Sequence, residues 1–140
     1  MNKAAVVIGG SGAIGSEICK RLAGENYHTY FTFLKNKETA SELEQAFPGY
    51  LHGSSCNVRN PEEVESLIDR ANRECGKVDV LINCAGISGE SLFVNKSIDE
   101  WRKVLETNLF SIFYSCRAVV PIMVEQYSGC LLYTSPSPRD

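Results

Sequence analysis

The chain has 140 residues, enough for one domain with a sizeable core, and its 44% hydrophobic and 22% charged composition is ordinary for a soluble globular protein. A formal net charge of −3 gives no basis for expecting nucleic acid or an anionic membrane as a partner, and no apolar run is expected to be long enough to span a bilayer. The first strand is expected within a few residues of Met1, so no signal peptide is expected.

The first element is Ala4 to Ile8, a short apolar run that stops at the cluster Gly9-Gly10-Ser11-Gly12-Ala13-Ile14-Gly15. Ile14, Ile18, Cys19 and Leu22 then share one helical face at spacings of three and four. Strand, glycine turn and helix follow one another directly. The free N–H groups and positive dipole end of such a helix suit a phosphate, and glycines let the backbone approach it. A merely tight strand-to-helix turn has the same letters.

Tyr27 to Leu34 reads as a second strand, rich in aromatic and β-branched residues, and Lys37 to Phe47 as a helix closed by Pro48-Gly49. Tyr50 to Val58 is a third, more polar strand. Asn60-Pro61-Glu62-Glu63 then supplies an N-cap, a proline at the first helical position and an acid three residues after the cap. That helix carries Val64, Leu67, Ile68 and Ala71 on one face and ends at Cys75-Gly76. Val78 to Ile82, apolar apart from Asp79, reads as a buried central strand, followed by Asn83-Cys84-Ala85-Gly86 and a polar loop from Ile87 to Lys96.

Ser97-Ile98-Asp99-Glu100 is a capping box that opens a long amphipathic helix. Its expected stripe is Trp101, Val104, Leu105, Leu109, Ile112, Phe113, Cys116, Val119 and Met123, and Pro121 is expected to kink or interrupt it. Strand and helix thus alternate four times with short connections, which predicts an α/β fold with a doubly wound parallel sheet of about four strands.

The six cysteines form no C-x-x-C pair, and only His28 and His52 exist to join a metal site, so no metal is expected. Most of them fall within apolar patterns and read as small buried hydrophobes in a reducing compartment, which makes the cytoplasm the expected location.

With the glycine turn, Cys56-Asn57-Val58, Asn83-Cys84-Ala85-Gly86-Ile87 and Thr107-Asn108-Leu109 all in place from Lys3 to Gly129, the chain resembles the short-chain dehydrogenases/reductases. Within them it looks most like the branch that reduces 3-oxoacyl thioesters on acyl carrier protein in fatty acid biosynthesis. The family's turn reads T-G-x-x-x-G-x-G; here Ile8 stands for the threonine and Ala13 for the middle glycine, while Gly9 and Gly15 match. By resemblance, Gly9, Gly10, Ser11, Gly12, Ile14 and Gly15 form the site for the cofactor's phosphate and ribose groups. Asn57 and Val58 match the adenine contacts, and Asn83, Ala85 and Gly86 match the segment beside the ribose. Cys84 departs from the usual second asparagine of that segment. Asn108 matches the asparagine that helps hold a relay water, and is the only catalytic candidate the resemblance leaves.

Cofactor choice has a physical argument. A site preferring NADH places an acid at the end of the second strand for the ribose 2′-hydroxyl. Phe33-Leu34-Lys35-Asn36-Lys37 has none and offers Lys35 and Lys37, which suit the 2′-phosphate of NADPH. The two lysines also fit a solvated helix start.

The family's proton donor is a tyrosine in Y-x-x-x-K, and a serine from the fifth strand orients the carbonyl; the sequence holds no Y-x-x-x-K. Tyr133 falls where the fifth strand should run, Pro136 falls at the serine's position, and Ser135 lacks the partners for catalysis. The stretch Cys130 to Asp140 resembles an in-frame reading of a transposon-based sequencing adapter. Residues 1–129 are therefore expected to be the N-terminal part of a dinucleotide-binding domain and 130–140 a non-native tail, with Leu131 to Thr134 able to stand in as a fifth strand. The resemblance implies a ketone or acyl-carrier-bound substrate, no nucleic acid or membrane partner, and a homo-tetramer for the full-length form. The alternatives are a dinucleotide-binding module without chemistry, or a dehydrogenase for another alcohol or ketone such as a sugar or steroid.

Overall fold

The computed structural model describes residues 2–89 and 91–132. Tyr133, Thr134, Ser135 and Pro136 lie outside them. Five strands, β1 (Lys3–Ile8), β2 (Tyr27–Phe33), β3 (Leu51–Ser55), β4 (Val80–Asn83) and β5 (Cys130–Leu132), make one sheet in the order β3-β2-β1-β4-β5. Every pairing is parallel. The fifth strand, three residues long, pairs Cys130, Leu131 and Leu132 with Val80, Leu81 and Ile82, so the sheet is one strand wider than the four firm strands of the sequence.

Helices α1 (Ala13–Gly24) and α2 (Lys37–Ala46) cover one face, and α3 (Pro61–Cys75) and α5 (Ser111–Glu125) cover the other. Period-two alternation along the central strand explains the two cores. Val6 and Ile8 pack with Ile68, Leu81 and Val119, whereas Val7 packs with Cys19, Phe31 and Leu43. Ala4 through Ile8 are completely buried, as a strand paired on both edges and covered on both faces requires. The chain leaves β1 toward β2 on one side and returns from β3 to β4 on the other. The topological switch point therefore lies between β1 and β4, at the carboxyl ends of the strands.

Local chemistry places most boundaries where the sequence puts them. Asn60 caps α3 with Pro61 at the first position, and Gly76 ends it in the left-handed region at φ 75°. The Asn60 cap is single: its Oδ1 accepts from Glu62 N–H, while the Glu63 carboxylate accepts the Asn57 N–H at 3.4 Å. Ser97 and Glu100 form the full reciprocal box at α4 (Ile98–Leu105). Asp79, the one polar residue of the run Val78 to Ile82, accepts the Ala4 N–H at 2.8 Å and pairs with Lys77.

The region after Ile87 departs from expectation. The loop holds a 3₁₀ turn at Phe93–Asn95, and Leu92, Phe93 and Val94 are all exposed, so it is not simply polar. Between α4 and α5 the helix passes through a π-helical turn, Glu106–Phe110. One inserted residue rotates the phase of everything after it by roughly a quarter turn or more. The predicted stripe is split: Val119 and Met123 are buried, while Leu109 within the turn and Phe113 after it are exposed, and Trp101 before it is exposed on α4, none of whose residues is buried. After the turn the inward positions are Ser111, Ser115, Val119 and Met123, two of them hydroxyls.

Pro121 does not interrupt the helix; α5 runs through it to Glu125. The continuous run Ile98–Glu125, 28 residues with a best-window mean hydropathy of 1.3, meets the length and composition of a bilayer span, contrary to the sequence reading. A core helix of a soluble protein passes the same test. Here the run lies on α3 and β4 and buries the hydroxyls of Ser111 and Ser115.

Candidate functional site

The glycine turn is fixed by what its neighbours leave no room for. Gly9 sits at φ 86°, and a Cβ there would come within 2.6 Å of Ala85 N at the exit of β4. A Cβ on Gly15 would strike the Gly9 carbonyl oxygen, and one on Gly10 would enter the Phe31 side chain. Gly12 is different: it is exposed, and a Cβ there would meet only the Gly9 oxygen at 3.5 Å, an ordinary contact. Thr32 on β2, buried, accepts the Gly9 N–H on its Oγ1 at 2.7 Å and holds the turn against the sheet. Gly12 is the N-cap of α1, and no side chain caps the helix. Its first N–H groups are left to whatever lies beyond.

What lies beyond is a groove of about 460 Å³ at the switch point. Its floor is Gly9, Ser11 and Gly12; Thr32 to Asn36 close one end. The loop after β3 contributes Cys56, Asn57, Val58 and Arg59, and the segment after β4 contributes Cys84, Ala85, Gly86 and Ile87. Lys103 and Thr107 reach it from the helix above. Of the predicted site residues, Gly9, Ser11, Gly12, Lys35, Asn57, Val58, Ala85 and Gly86 are therefore brought together.

The others stand elsewhere. Gly10 and Gly15 pack beneath the turn. Ile14 is 73% exposed at the first turn of α1 and does not join Cys19 and Ala23 in the core. Asn83 turns toward α5, its Oδ1 accepting from Ser115 Oγ at 2.7 Å, and its Nδ2 is buried without a hydrogen-bond partner among the described residues. Lys37 lies with Lys35 in a separate hollow at the start of α2. Asn108, in the π-helical turn, clamps the loop after β4: its Oδ1 accepts from Ile87 N–H at 2.8 Å and its Nδ2 donates to Ile87 O at 2.7 Å. Both ends of that carboxamide are occupied by one residue's backbone.

The groove is electropositive. Lys35, Arg59 and Lys103 line it, and among the described residues no carboxylate does. Burial pushes the Cys56 thiol up to about 12 and raises that of Cys84 as well, so both stay neutral at pH 7. Of these three, Arg59 is the one with an ion-pair partner among the described residues, Glu106 at 2.6 Å.

Sequence reasoning missed Thr32, Arg59, Glu106 and Lys103. A threonine buried among strand aromatics is a faint signal for the first. Arg59 and Glu106 are 47 residues apart and carry none. A second hollow of about 560 Å³, lined by Leu109, Phe110, Ile112, Phe113, Tyr114 and Cys116, lies on the outer side of the helical run and is almost wholly apolar.

A cradle without side chains at a helix start, at the switch point of a parallel sheet, fits a pyrophosphate. The family model for short chain dehydrogenases matches residues 3–137. The chain belongs to the short-chain dehydrogenase family. It is 38% identical over 125 residues to carbonyl reductase family member 4 of Danio rerio, covering 89% of this chain and 52% of that protein. It is 33% identical over 135 residues to the 3-oxoacyl-[acyl-carrier-protein] reductase FabG of Staphylococcus epidermidis, covering 94% of this chain and 55% of that one. A short-chain dehydrogenase structure from Streptomyces avermitilis superposes with a TM-score of 0.86 at 26% identity, over 94% of this chain and 48% of that chain. The chain thus spans about half the length of the curated relatives it matches. The family uses an NAD(P) dinucleotide, and the groove at the switch point is lined by cations that suit its phosphates.

Proposed function

We propose that this chain is the cofactor-binding part of an NADPH-dependent short-chain reductase acting on 3-ketoacyl thioesters. The observation that carries the cofactor half of this reading is the side-chain-free cradle at Gly9 and Gly12, opening onto a groove lined by cations and by no carboxylate among the described residues. Similarity to the FabG and carbonyl reductase proteins supports a ketone as the reducible group.

Bound there, the reduced nicotinamide would supply a hydride to the ketone carbon. The chain's own residues bind and orient. The uncapped start of α1 with Ser11 and Gly12 holds the pyrophosphate, and Asn57 and Val58 hold the adenine. Ala85 and Gly86 let the ribose approach closely, and Lys35 pairs with the 2′-phosphate. Asn108 acts as a positioning residue for the loop after β4, since its carboxamide is bonded to Ile87. We further infer that reduction needs the tyrosine, lysine and serine of the family and that the division at Gly129 is the one described above. Six unpaired thiols support a reducing, cytoplasmic setting, and the full-length form is proposed to be a homo-tetramer.

The test is the affinity of the chain for both cofactors by calorimetric titration, before and after Lys35→Ala. NADPH should bind about tenfold more tightly than NADH, and the substitution should remove most of that difference while sparing NADH, as expected for one charge-assisted contact. Equal affinities would overturn the NADPH assignment, and uptake of neither would overturn the cofactor reading.

A further inference from the structure

Two segments far apart in sequence meet at the mouth of the groove. Arg59 Nε donates to Glu106 Oε2 at 2.7 Å, and a terminal nitrogen of the same guanidinium lies 2.6 Å from that oxygen. The two side chains are only 37% and 24% exposed, so the pair is partly withdrawn from solvent. Each end is anchored to a wall of the groove. Arg59 N–H donates to Asn57 Oδ1 at 3.1 Å, and Asn57 N–H is held by Glu63, which stiffens the segment that carries Val58. Glu106 opens the π-helical turn, and two residues later Asn108 grips Ile87 through both ends of its carboxamide. Val58 faces the groove from the β3 side, and Ile87 faces it from the β4 side.

We propose that the Arg59–Glu106 ion pair is a positioning latch. It ties the β3-side wall to the β4-side wall, through the π-helical turn and Asn108, and so sets the width of the groove for its dinucleotide. The proposal rests on the cofactor reading above. A partly exposed ion pair adds little to global stability. Its effect is on geometry: with the latch open, nothing else among the described polar contacts joins the segment 57–59 to the π-helical turn, and the support of the Asn108–Ile87 clamp is held only by the packing of the helical run on α3 and β4.

The experiment is residue-resolved hydrogen exchange at the Ile87 amide, run beside NADPH titration, in Arg59→Ala, Glu106→Ala, the double variant and the charge swap Arg59→Glu/Glu106→Arg. Each single variant should speed Ile87 exchange and weaken NADPH by about five- to tenfold, the range of a modest coupling between sites. The double variant should be no worse than either single, and the swap should recover most of both losses, with the thermal midpoint near wild type throughout. Unchanged Ile87 exchange in the single variants would overturn the latch, as would a swap that behaves like the sum of its parts. If the wild-type chain takes up no dinucleotide, the cofactor reading falls, and Ile87 exchange still decides the latch.

Discussion

The two sides of the groove are built on different physics. On the β1–β2 side the turn is held chiefly by exclusion, beside the single Gly9–Thr32 hydrogen bond: Gly9, Gly10 and Gly15 touch backbone or a buried ring so closely that no Cβ fits. On the β4 side the wall is held by exchangeable polar contacts: Asn108 to Ile87, Arg59 to Glu106 and Ser115 to Asn83. The first kind of wall has one solution and fails by misfolding. The second can loosen by a hydrogen bond at a time, which suits a wall that must admit and release a ligand.

The sharpest way to break this comparison is Gly15→Ala. Its methyl would meet the Gly9 carbonyl, which cannot move without displacing the turn, so a loss of about 2–4 kcal/mol of stability is expected, read by denaturant unfolding. A loss within about 0.5 kcal/mol, the range of an unconstrained surface site, would show that the turn is not sterically locked. Asn108→Ala on the opposite wall should be gentler on the fold, costing about 1–2 kcal/mol, and should weaken dinucleotide binding by about tenfold. Should it instead unfold the chain while Gly15→Ala is tolerated, the two walls have been assigned the wrong way round.

The smallest effect concerns acid. His52 lies against the Tyr30 ring, with ring centroids 4.7 Å apart, on the β2–β3 half of the sheet that supports the glycine turn. Burial, then the Arg70 cation, hold its pKa below the ordinary 6.5, while Glu74 opposes them. The Glu74 carboxyl is itself held low by its hydrogen bonds from Arg70 and then Tyr30. For His52 the unfolded chain takes up the proton first, so stability falls as pH drops through about 6.5 toward the folded value; for Glu74 it falls below the carboxylate range. Thermal midpoints should therefore decline from pH 7 to pH 5, and His52→Phe should flatten that slope. An unaltered slope would remove His52 from the account.

Legibility in the sequence divides along the same line. The packed side was readable: the apolar run Ala4 to Ile8, the glycine cluster and the α3 caps at Asn60-Pro61 and Gly76 are local signals, and each does locally what its chemistry dictates. The strand pairing followed from alternation of strand and helix. The polar side was not readable, because its contacts join residues far apart. Asn108 was singled out by motif, but its grip on Ile87 spans 21 positions. The π-helical turn has no local signature, and by shifting the phase it turned Ser111 and Ser115 inward and left Leu109 and Phe113 outside. The same shift explains why a stripe with good helical spacing did not become a single buried face.

The measurement that tests the central claim most directly is an amide NMR titration of the chain with NADPH. The account predicts shifts at Gly9, Ser11, Gly12, Asn57, Ala85, Gly86 and Ile87, with the outer apolar hollow around Phe113 left unmoved. No shifts at all, or shifts confined to that hollow, would contradict it.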